Sequence, residues 1–184
     1  MNGVGQYIES LLKEYGGNQS YTAKTIGISR QLLNCVILGK RELSISLALK
    51  LESFFNLPEG ELLELQVEES IRNYKQKLRE ELFGQILKAN AFWSYDHVSA
   101  ENIADEDLIE KTFIYLDLVD IAKLFELFRR EYVRKIWRER MVIQGDYLFN
   151  LNVMIALYYF DIERPEKYLK RVEREHLRQQ LDYA

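Results

Sequence analysis

The stretch "GISRQLLNCVILGKREL", residues 27 to 43, carries Arg30, Lys40 and Arg41 and, until Glu42, no acidic residue, in a chain whose formal net charge is -4. Ser29 is suited to cap a helix, and Leu33, Val36 and Ile37, spaced for one helical side, form its inward face. Arg30, Gln31, Asn34 and Cys35 are left pointing outward near the helix start. Arg and Gln can make paired hydrogen bonds to guanine and adenine edges in the major groove, and a helix N-terminus attracts phosphate. Lys40 and Arg41 then fall in the following loop, where they can meet a phosphate backbone.

The segment just before it, "NQSYTAKTIG", supplies a partner for this helix. Asn18 can cap a short helix, Ala23 is small enough for close helix packing, and Gly27 suits a tight turn. Two short helices across a glycine turn, the second basic at its start, predict a helix-turn-helix. Residues 1 to 66 contain six basic and seven acidic residues. DNA binding there must rest on local placement of charge, and a dimer reading two half-sites is the expected arrangement.

The rest of the chain limits the alternatives. With 184 residues, 47% hydrophobic, it can bury one sizeable core or two small ones. The single cysteine, Cys35, excludes an internal disulfide, and no secretory leader opens the sequence, so a reducing cytoplasm is the expected setting. The most apolar window, "YLFNLNVMIALYYF", is interrupted by Asn150 and Asn152 and falls short of the roughly 20 residues of a membrane helix, so it reads as a core helix. Two prolines leave long stretches free to be helical.

An all-α chain follows. Helices are expected at about 4–15, 19–26, 30–38, 45–55, 58–65 and 68–89, then at about 105–116, 118–129, 131–141, 147–160 and 165–181, the last opened by Pro165. The texture changes near Gln66, from short helices between turn signals to longer, aromatic-rich ones. The expected division is a DNA-binding domain over 1–66 and a helical partner-binding or dimerisation domain over 67–184, joined by a stiff helix.

Residues 18 to 66 resemble the helix-turn-helix domain of phage repressors, lambda-repressor-like and of the XRE family. More specifically they resemble the HigA-like antitoxins, the antidote proteins of plasmid-maintenance systems. The run "GISRQLLNCVILGKRELSISLALKLESFFNLPEGELLELQ" carries the likeness: a Gly turn, Ser-Arg-Gln opening the recognition helix, Gly-Lys-Arg closing it, an Ala-x-x-Leu-Glu helix and a short helix ending in Leu-Gln. Carried over, the resemblance implies that Gln19 and Lys24 flank phosphates, that Arg30, Gln31 and Cys35 face base edges, and that Lys40 touches the backbone. Three positions depart from the family pattern: Thr22 stands for an aliphatic residue, Leu32 is an exposed apolar residue near the DNA face, and Leu38 replaces a loop-holding asparagine.

A fainter likeness links residues 92 to 141, through Phe92, Trp93, Asp96, Asp117, Leu118, Leu124 and Trp137, to helical proteins that partner abortive-infection nucleotidyltransferase toxins. It implies a partner-binding surface including Phe92, Trp93 and Trp137. Nothing in residues 67 to 184 reads as an enzyme or calls for a cofactor. His97 and His176 are far apart, there is no Cys-x-x-Cys, nucleophile elbow or phosphate-cradling Gly loop, and Asp105, Glu106, Asp107 and Glu110 are acids expected at a helix start rather than a metal site. With 22 acidic against 19 basic residues, this half is expected to have no DNA affinity of its own. The combined expectation is an operator-binding, dimeric antitoxin and repressor whose second half holds a toxin. The alternative is a stand-alone XRE-type regulator with a C-terminal ligand-sensing or oligomerisation domain.

Overall fold

Every regular element in the computed structural model is helical, and it describes residues 3–16, 18–91 and 99–182. The packing divides the chain into two compact units, residues 1–74 and 75–184. This division falls after the change of texture near Gln66, because the residues just beyond Gln66 still bond to the first unit. The Glu69 carboxylate accepts from the backbone N–H of Val4 at 2.9 Å.

The first unit holds α1 (Val4–Glu14), α2 (Gln19–Thr25), α3 (Arg30–Ile37), α4 (Ile45–Phe55) and the start of α5 (Glu61–Lys88). Its core is built from one face of each helix, with Ile8, Leu33, Ala48, Leu51 and Leu62 fully buried. Tyr15 closes one side, its ring edge-on to Phe55 at 5.3 Å and its hydroxyl donating to the Phe55 carbonyl. Gly5 lets α1 approach the end of α3, since a Cβ there would lie 2.3 Å from the carbonyl oxygen of Ile37. The two helices expected over 58–65 and 68–89 are one: no glycine or proline interrupts residues 61–83, so nothing stops the helix at Gln66.

The second unit takes Leu78, Leu82, Phe83 and Ile86 from α5 and adds α6 (Asp105–Tyr115), α7 (Leu118–Leu127), α8 (Arg130–Ile136), α9 (Phe149–Phe160) and α10 (Pro165–Asp182). The helix expected at 131–141 is α8, which widens into a π-type turn over Trp137–Met141. A 3-10 segment follows, Val142–Leu148, bent at Gly145 with φ 63°. Trp137 sits at the centre of this core. Its ring is parallel to Tyr168 and 4.9 Å from Phe160, and its Nε1 donates to Asn152 Oδ1 at 2.8 Å. Among the described residues no helix is long and apolar enough to cross a membrane.

Candidate nucleic-acid interface

Local chemistry fixes both helices of the motif at each end. Asn18 Oδ1 accepts from the Ser20 N–H at 2.8 Å and starts α2, and Ser29 Oγ accepts from the Leu32 N–H at 3.1 Å and starts α3. Both helices end in a Schellman motif. After α2, Gly27 adopts φ 70°, its N–H donates to the Lys24 carbonyl, and the Ile28 N–H reaches back to Ala23 at 2.9 Å. After α3, Gly39 adopts φ 66°, its N–H donates to Val36, and the Lys40 N–H donates to Cys35 at 2.8 Å. The backbone of the basic loop is thereby tied to the helix it follows.

Packing then sets the orientation of α3. Leu33 and Val36 are buried, with Ala23 of α2 in the same core, while Arg30 and Gln31 are exposed and Asn34 and Cys35 half-buried on the outward side. Ser29, Lys40 and Arg41 are exposed at the two ends of the helix; on α2, Lys24 is exposed and Gln19 half-buried. Among the described residues, Lys24, Arg30, Lys40 and Arg41 have no ion-pair partner within the chain. Leu32 differs from its reading as an exposed residue: it is half-buried, packed against the core. Leu38, at the end of α3, is exposed.

Sequence reasoning missed what holds the α3–α4 loop. The Gln66 amide bonds the Leu43 backbone twice, its Oε1 accepting from the N–H and its Nε2 donating to the carbonyl at 3.1 Å. That clamp fixes the loop carrying Lys40 and Arg41 from 23 residues away in sequence, and no local signal could announce it. The Leu-Gln ending of the recognised run contained its key residue. Glu52, buried in the same unit, accepts from the N–H groups of Gly60 and Leu62 and anchors the start of α5.

The candidate partner residues fare differently. Phe92 and Trp93 lie outside the described residues. Trp137 was expected on a partner-facing surface and is fully buried, so it serves the core of the second unit; its helical spacing is the same for either role, which is why sequence alone could not separate them. The acidic residues near the start of α6 are all bonded. Asp105 pairs with Arg79, Asp107 with Arg140, and Glu110 with Arg140 and Gln144. The Glu106 carboxyl lies below the ordinary range because its own backbone N–H and then the Tyr132 hydroxyl donate to it. Among the described residues no three His, Cys, Asp or Glu side chains converge to hold a metal ion.

Two short, doubly capped helices with a buried contact between them and an outward polar face on the second define the class: a helix-turn-helix built to present α3 to DNA. A helix-turn-helix family model matches residues 8–62. The match supports an XRE-type helix-turn-helix over these residues, less than half of the chain, and with it a DNA-binding role in transcription regulation. No curated protein and no solved structure matches the chain.

Proposed function

We propose that the chain is a homodimeric repressor of its own operon and the antitoxin for a toxin encoded beside it. The outward face of α3 carries the first part of this reading. Arg30, Gln31, Asn34 and Cys35 stand there on a helix fixed by Leu33 and Val36 beneath, with unpaired Lys40 and Arg41 beyond it and Lys24 and Gln19 on α2. Arg30 and Gln31 read base edges, Ser29 sits at the helix start beside them, and Gln19, Lys24, Lys40 and Arg41 meet phosphates. The likeness of residues 18 to 66 to HigA-like antitoxins supports the antitoxin role. The second unit adds exposed apolar side chains suited to a protein partner, among them Tyr147, Tyr158 and Val119.

Binding-site selection with the full chain tests base reading. Arg30→Ala or Gln31→Ala should each cost about 1 to 3 kcal/mol at the selected site and relax preference at one base pair. Lys40→Ala should weaken all sequences alike and lower the salt slope by about one unit. Unchanged preference in both base-reading variants would end the assignment. Co-expression with the neighbouring gene tests the antitoxin role: a neighbour that is harmless on its own, or not captured by this chain, leaves a regulator without a toxin.

A further inference from the structure

We propose that α10 carries a second DNA-contacting surface, a line of positive charge that grips the phosphodiester backbone without reading sequence; the inference rests on the DNA-binding role of residues 8–62. Arg164, Lys167, Arg171, Arg174 and Arg178 follow one another at alternating steps of three and four residues. At 100° per residue this places Lys167, Arg171, Arg174 and Arg178 on one stripe of the helix, opposite the buried Leu169 and Val172, with Arg164 immediately before its first turn. All five are exposed. From Arg164 to Arg178 the line is about 21 Å long at 1.5 Å per residue, matching the rise of about six base pairs.

The charges are left available. Among the described residues Arg164, Lys167, Arg174 and Arg178 have no ion-pair partner; Glu166 and Glu173 are turned about 110° and 130° from the centre of the stripe, while Glu163 and Glu175 stand beside it. Arg171 lies 3.7 Å from Glu175 and over the Tyr168 ring, which stacks on Trp137, and Arg174 Nε donates to the Lys170 carbonyl at 3.0 Å, leaving its terminal nitrogens outward. The middle of the line is therefore held rigidly to the core. Like charges three and four residues apart on a helix repel each other, so such a row is favourable only against a negative partner. Four of the five are arginines, whose planar forks match phosphate oxygens in pairs.

Covalent attachment to a DNA-binding domain makes phosphodiester backbone the repeating anion at highest local concentration around α10. The acidic balance of residues 67–184, from which no DNA affinity is expected, is an average that this placement escapes. A stripe binding phosphates alone adds affinity and salt dependence and leaves base preference to α3.

The experiment uses the full chain and a labelled duplex obtained by binding-site selection, titrated over a series of salt concentrations. The variant combines Arg164→Gln, Lys167→Gln, Arg174→Gln and Arg178→Gln, sparing Arg171 because it packs on Tyr168. The slope of log affinity against log salt should fall by about three to four units, with the selected sequence unchanged. Arg164→Lys, Arg174→Lys and Arg178→Lys together should keep the parental slope. A parental slope in the Gln variant overturns the proposal, as does an equal loss in the Lys variant, which would implicate packing rather than charge. Loss of capture of the neighbouring gene's product with the slope intact would assign the stripe to a protein and also overturn it. A parent chain that selects no duplex would remove the repressor reading itself, a result distinct from all of these.

Discussion

The Glu52 carboxylate accepts a hydrogen bond from the Leu62 N–H at 2.8 Å, and its other oxygen accepts from Gly60 at 3.0 Å. A buried acid on α4 thus satisfies donors at the start of α5 that have no partner within their own helix. Glu52→Ala strands those amides in the core and should destabilise the first unit by about 3 kcal/mol. Hydrogen exchange should show faster opening of α4 and the first turns of α5, with α6 to α10 unaffected. Equal exchange throughout would show that the carboxylate carries no net stability.

Two helical glycines should respond oppositely to the same methyl group. Gly5→Ala drives a Cβ to within 2.3 Å of the Ile37 carbonyl oxygen, forcing α1 and α3 apart, and should cost about 1 to 3 kcal/mol. Gly84 lies inside α5 with nothing beyond its own turn of helix within 4 Å of a Cβ there, so Gly84→Ala should stabilise the second unit by about 0.5 to 1 kcal/mol. Thermal melts of both variants check the pair of signs.

Thr22 is fully buried, and its hydroxyl has no hydrogen-bond partner among the described residues. Thr22→Val keeps the shape and removes the stranded oxygen, so the first unit should gain about 1 to 2 kcal/mol, read from denaturant unfolding. A loss on substitution would mean that the hydroxyl has a partner, such as a bound water.

The edge of the DNA-binding unit is open to a truncation test. A chain of residues 1–74 should fold and bind the selected duplex, while one of residues 1–66 lacks Glu69 and leaves the Val4 N–H at the start of α1 without its acceptor. The shorter chain should be less stable by on the order of 1 to 2 kcal/mol, a serious loss in a domain that buries only about 60% of its unfolded surface. Circular-dichroism melts of the two truncated chains decide it.

The parts legible in the sequence were those specified by neighbours in sequence. Asn18, Ser29, Gly27 and Gly39 announced the ends of α2 and α3 because capping and left-handed turns are local events. Leu33 and Val36 announced the inward side through periodicity. What stayed hidden was tertiary: the Gln66 clamp on Leu43, the acidic residues of α6 shared among Arg79, Tyr132 and Arg140, and the burial of Trp137, whose spacing fits core and surface alike. The fusion of two expected helices into α5 was hidden for the opposite reason, since a change in composition near Gln66 looked like a break where no breaker stands.

In the second unit, Asn152 turns a chemical oddity into an instruction. α9 is apolar on most sides, with Leu151, Val153, Met154 and Ile155 all buried or half-buried, and grease alone would let such a helix settle at several rotations. Only with Asn152 facing the π-turn can its carbonyl meet the Trp137 indole while its amide meets the Met141 oxygen. Any other rotation sets those three polar groups in a dry interior without partners. The widened turn, the indole and the amide work as lock and key for a single seating of α9, so variation at Trp137 should be tolerated chiefly when Asn152 changes with it.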